Sequence, residues 1–170
     1  MAKEFSEAET VAQIANGLIP NYHPELATAK ILYIFVSKAS TKNGQEVWGK
    51  AKKLSGLFEW YAERDFLIEV AKDKWDGLNA NERTALVDHL LERCTGEEDE
   101  ENGGAMKWKM RDPEVQEFAT ILQRYGAWHK GLNSFISIAK SVKLDEIIAE
   151  EAEIDLSEDE TEEEHVGSTE

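Results

Sequence analysis

The residues with the most evident chemical potential lie in ERTALVDHLLERC, residues 82–94. The stretch reads as one amphipathic helix, with His89 in its C-terminal half. A zinc-hydrolase helix of the H-E-x-x-H type needs two histidines four residues apart, because positions i and i+4 share a face and can bind one ion. It also needs a glutamate after the first histidine as general base toward the metal-bound water. Here His89 is in place, but Leu90 occupies the base position and Arg93 the second ligand position. Leucine accepts no proton. A guanidinium stays charged and offers no lone pair.

The inverted register H-x-x-E-H fits His89 and Glu92 but again ends on Arg93. His89 and Glu92, at i and i+3, could share an ion, yet two protein ligands are too few for a tight zinc site. By spacing alone, His89 reads as an ordinary core or surface histidine and Glu92 as a surface ion-pair partner. Cys94 suggests a nucleophile beside His89. Five residues along a helix, however, put the two on different faces.

The elements that would position these residues can be read from periodicity. Residues 4–18 carry Val11, Ile14, Ala15 and Leu18 at helical spacing, with Ser6 and Glu9 in capping-box positions. Pro20 and Pro24 are expected to end that helix. ILYIFV, 31–36, reads as a buried strand, and Asn43-Gly44 as a turn. Residues 46–56 read as a strand with Val47, Gly49, Ala51 and Lys53 on one face. DFLIEVA, 65–71, is a third strand. KDKW gives a short helical turn, and Asn79 with Glu82 caps the histidine helix. TGEEDEENGGAMK reads as a polar loop. Further helices are expected at 113–126, opened by Pro113 and closed by Gly126, and at 131–142. A sparse helical pattern covers 143–153, and low-complexity acid follows Ile154. The fold class is α+β: helices packed on a small sheet of three strands or slightly more. The expected domains are a body over 1–142 and an acidic extension over 143–170.

The net charge of −16 is local. EEDEE at 97–101 holds five acids, and Leu144–Glu170 holds thirteen with no lysine or arginine. The other 17 acids (35 − 18) face all 19 lysines and arginines, so the body is nearly neutral. Such blocks mark solvated loops or interaction tails. No apolar run reaches the roughly 18 residues of a membrane span. The polar N-terminus does not have the order of a signal peptide, and a single cysteine suits a reducing compartment. A cytoplasmic location without membrane contact is expected.

Other clusters are weaker. Trp48 with Lys50, Lys52 and Lys53, and Lys107-Trp108-Lys109 with Arg111, interleave aromatic and basic residues as single-strand binders do. A strand's solvent face and a tryptophan packed in the core account for them better, so no direct nucleic-acid binding is expected. His23, His129 and His165 form no pattern. There is no G-x-S-x-G and no phosphate-binding glycine loop.

EVWGKAKKLSGL, DFLIEVAKDKWDGL, ERTALVDHLLERC, MKWKMRDPEVQEFATILQRYGAW and GLNSF, in that order, together with NGLIPNYHPELATAKILYIF, resemble the phage metallopeptidase family over roughly residues 14–139. The resemblance implies a zincin-like fold, with a histidine helix ending Asp-His-Glu-Leu-x-His. Asp88, His89 and Leu91 match that pattern; Leu90 and Arg93 replace its glutamate and second histidine. The resemblance also implies Glu117, before Phe118, as a residual ligand, while Pro113 stands where a histidine is often found. It therefore implies a catalytically degenerate member, a pseudoenzyme with no catalytic residues. His89 and Glu117 would be the remaining metal positions, and zinc would be bound only if they still hold it. The expected role is binding or inhibition of a host protein. One alternative is an acidic DNA mimic acting on a host nuclease or restriction enzyme. Another is an active metal-dependent peptidase with a site rebuilt from His89, Glu92 and Glu117.

Overall fold

The computed structural model describes residues 3–113, 115 and 119–141, which fall in two compact units, Met1–Pro113 and Glu114–Glu170. The expected boundary at 142/143 lies within the second unit, and the extension 143–170 lies outside the described residues.

The first unit runs β1 (Phe5–Glu7), α1 (Glu9–Tyr22), β2 (Ile31–Val36), β3 (Ser40–Lys42), β4 (Gln45–Val47) and β5 (Gly49–Lys53). It continues with α2 (Gly56–Ala62), β6 (Phe66–Ala71), α3 (Lys72–Trp75), α4 (Ala80–Glu92), β7 (Cys94–Asp99) and β8 (Ala105–Met110). The second unit contains α5 (Ala119–Tyr125) and α6 (Lys130–Ser141). The fold is α+β, consistent with a zincin-like arrangement.

The main sheet has the order β1-β2-β6-β5. Its central pair, β2 and β6, is parallel, with Ile31 opposite Phe66 and Val36 opposite Ala71. Both edge strands are antiparallel to their neighbours. Period-2 alternation turns Phe66, Ile68 and Val70 to one face, where they are fully buried. Helices α1 and α4 cover that face. Val11, Ala15 and Leu18 come from α1, and Val87, Leu90 and Leu91 from α4, both sets at helical spacing. Leu26, Trp75, Cys94 and Trp108 complete the core. At about 25 cal/mol per Å² of apolar surface removed from water, this two-layer burial is the main driving force for the unit.

Several expectations need correction. Ser6 does not cap α1: it lies in β1, paired with Phe35, and Ala8 precedes the helix without a side-chain cap. The helix also runs through Pro20 to Tyr22. Pro20 brings no N–H for the Asn16 carbonyl, yet the turn closes around it: the Asn21 side-chain amide donates to the Gly17 carbonyl at 2.9 Å and the His23 N–H to the Ile19 carbonyl at 3.0 Å. The sequence 94–110 is a hairpin, β7–β8, with its two-glycine turn at Gly103 and Gly104, rather than a loop. Its consecutive acids, Glu97 to Glu101, hide the strand pattern. Helix α2, where no element was expected, follows β5. The Asn43-Gly44 turn is as expected: both residues have positive φ, 53° and 78°, and join β3 to β4.

The hairpin closes on the core through one close approach. Gly96 stands opposite Trp108, and a Cβ on Gly96 would lie 2.5 Å from the indole ring. The ring is held edge-on against Phe66 at a centroid distance of 5.6 Å and cannot easily yield. Gly96→Ala should therefore cost about 1–3 kcal/mol by overpacking. A lower urea midpoint with unchanged m-value, together with an altered near-UV tryptophan signal, is the expected result.

Candidate functional site: the histidine helix and its clamp

Helix α4 begins as its sequence dictates. The Asn79 side chain accepts from the Glu82 N–H, and the Glu82 carboxylate accepts from the Asn79 N–H, both at 2.9 Å. This reciprocal box satisfies two of the orphan donors of the first turn. From there Val87, Leu90, Leu91 and Cys94 form an i, i+3, i+4, i+7 stripe that faces the sheet. The register of that stripe decides where each candidate side chain goes.

Leu90 is 2 % exposed and reaches β5. Gly49 clears the space for it: a Cβ there would sit 2.7 Å from the leucine Cδ1. The position that carries the general base in an H-E-x-x-H helix is here a core position under the edge strand. His89, next to it, is exposed and has no hydrogen-bond partner among the described residues. Cys94 is buried on the opposite side, donating to the Leu90 carbonyl at 3.6 Å. The helical geometry thus separates it from His89, as the spacing requires.

Glu92 and Arg93 are used together. Arg111 Nη1 donates to Glu92 Oε2 at 3.0 Å, and Arg93 Nη2 donates to Asp112 Oδ1 at 3.1 Å. Between them the Arg111 N–H donates to the Arg93 carbonyl at 2.8 Å. The dipeptide Glu-Arg at the end of α4 is clamped to the dipeptide Arg-Asp after β8. Glu92, a candidate in a rebuilt metal site, is engaged in this clamp. Glu117 lies outside the described residues, so its expected approach to His89 does too.

His23 carries a contact that the sequence did not reveal. It is 1 % exposed, at the C-terminal cap of α1, and its Nε2 lies 2.6 Å from Asp88 Oδ1. The pair joins α1 to α4 one residue before His89. A histidine followed by proline at a helix end offered a faint signal. Only the packing of α1 across α4 brings it to Asp88.

A catalytic zinc in such a helix takes three protein ligands and a water beside a general base. This helix offers one imidazole, an aliphatic side chain at the base position and a paired guanidinium at the second ligand position. That donor set does not fit the ion. Among the described residues no three of His, Cys, Asp and Glu converge on a point that could hold a metal. In the aromatic-basic clusters, Trp48 is exposed and Trp108 is not. Trp108 is buried against Phe66, while Lys109 pairs with Glu97 and Lys52 with Glu69.

Burial sets the titration of the inner groups. Desolvation pushes the Cys94 thiol up to about 12, outweighing the pull of Arg93. Burial, with Cys94 nearby, also raises the Tyr33 phenol. Because the thiolate is the reactive form, native Cys94 should resist an aromatic disulfide reagent at pH 8 and react promptly once the chain is unfolded. Equal labelling rates in both states would contradict this burial. Truncation separates the helix roles in the same way. Leu90→Ala should cost about 2–5 kcal/mol in chemical denaturation. Arg93→Ala, which breaks a partly exposed pair, should cost under about 1 kcal/mol.

No curated protein matches the chain, and no solved structure does. Residues 3–137 match the family described as "Putative phage metallopeptidase". That match covers most of the chain and spans every element from β1 to α5. The chain belongs to this phage metallopeptidase family.

Proposed function

We propose that this protein keeps the family's fold without its peptidase reaction, and works as a binding factor on a host protein. The observation that supports this reading is the packing of Leu90. A general base at that position would be a carboxylate buried under β5 against Gly49, at a cost of several kcal/mol unless paired. The core is built for an aliphatic side chain there, and the ligand position beyond it serves the Glu92–Arg93 clamp. Without base and second ligand, metal-assisted hydrolysis falls by several orders of magnitude. What such a chain retains is a surface.

A second reading, an acidic mimic of DNA aimed at a host nuclease or restriction enzyme, draws on the β7–β8 turn. There Glu98, Glu100 and Glu101 have no ion-pair partner among the described residues. Asp99 is spent locally, accepting from the Glu101 N–H and the Asn102 amide. Contacts of this kind weaken steeply with salt.

Purified protein is expected to hold well under one equivalent of zinc and to cleave no peptide when zinc is supplied. Cleavage that depends on metal and disappears in His89→Ala would overturn the proposal and favour the rebuilt site. Capture of a host DNA-binding enzyme that is lost at high salt, and lost on deleting residues 144–170, would select the second reading over the first.

A further inference from the structure

Helix α2 is anomalous on physical grounds. Its seven residues, GLFEWYA, include none that is buried, and Ser55 makes no side-chain cap. Leu57, Phe58, Trp60 and Tyr61 are 72 %, 73 %, 76 % and 83 % exposed. Isolated helices of this length are unstable in water, because nucleation costs more than one or two turns return. Exposed apolar residues scattered singly are ordinary, but four on one short helix are not. At about 150–250 Å² per aromatic side chain, Phe58, Trp60 and Tyr61 alone leave roughly 350–550 Å² in water. Leu57 extends a patch already as large as the largest on typical monomers.

We propose that α2 is a self-association surface, pairing antiparallel with α2 of a second copy of this chain about a two-fold axis. Its area is about half or somewhat more of the roughly 800 Å² per partner of a standard interface, the range of a weak dimer. The surrounding charge favours a copy over an anionic membrane or a nucleic acid. Lys30, Lys53 and Arg64 balance Glu59, Glu63 and Asp65 around the helix, so the patch is locally neutral although the chain carries −16. An anionic membrane or a nucleic acid would require a basic rim. A two-fold interface instead requires self-complementarity. Lys53 precedes the helix and Glu63 follows it, and neither has an ion pair among the described residues. Antiparallel pairing sets Lys53 of each copy beside Glu63 of the other, around a centre of Phe58, Trp60 and Tyr61.

Light scattering on the full-length chain across a wide concentration range tests this, with circular dichroism to confirm that each variant is folded. A dimer is expected that becomes monomeric in Trp60→Asp with helix content retained. Lys53→Glu and Glu63→Lys should each raise the dimer dissociation constant roughly tenfold or more, through like-charge juxtaposition. Mixing these two variants should restore association, because each pairing then regains opposite charges. A full-length chain that stays monomeric at high concentration would overturn the proposal, and so would a dimer indifferent to Trp60→Asp. Cover of α2 by its own chain would give the first of these results. Failure of the mixed variants to associate would overturn the antiparallel arrangement.

Discussion

The contact of α4 with the sheet fixes most of what surrounds it. Val87, Leu90, Leu91 and Cys94 share one core with Phe66, Ile68 and Val70, all but fully buried, and Leu90 reaches the antiparallel edge strand β5. A parallel pair is normally covered on its buried face by helices, and here α1 and α4 supply the cover. Once Leu90 is seated under β5, the helix can have only one rotation about its axis. His89 must then face water, Asp88 must meet α1, and Glu92 and Arg93 must lie toward the segment after β8.

That constraint connects the family's motif to the chain's own chemistry. In this fold the position after the histidine points at an antiparallel edge strand, and Gly49 of that strand leaves room for the side chain. In this chain a leucine stands there, and it is part of the core. The ligand position one turn on becomes an ion-pair partner. Surface pairs of this sort contribute little each. The two pairs and the Arg111–Arg93 backbone bond nonetheless fix where the chain goes after the hairpin. Leu90 and Arg93 thus hold the fold at the positions where catalytic groups would be.

The buried polar groups follow the same logic. His23 is nearly excluded from water, and its Nε2 meets Asp88 Oδ1. No buried side-chain nitrogen or oxygen among the described residues lacks a partner. An unsatisfied polar group in such a core would cost about 1–3 kcal/mol. The interior is therefore complete as it stands. Outside that core, Leu57, Phe58, Trp60 and Tyr61 of α2 are among the large apolar side chains left in water.

The sequence by itself determined a good deal. The strands at 31–36 and 65–71, the Asn-Gly turn and the capped helix from Asn79 all follow from local chemistry: alternation, positive φ and reciprocal capping. The order of short motifs was enough to identify the family, and the residue types at positions 90 and 93 were enough to show where the chain departs from the H-E-x-x-H pattern. Tertiary structure decided the rest, because the remaining features depend on residues far apart in the chain. Ser6 belongs to a strand because Phe35 lies beside it. The acid-rich hairpin is a hairpin because Gly96 admits Trp108. His23 acquires meaning only from Asp88, 65 residues away. Leu90 could be named as a missing base from its position alone. That it is a core residue held by Gly49 required α4 and β5 to be in place, because burial is a property of the assembled layers and not of the letters in one helix.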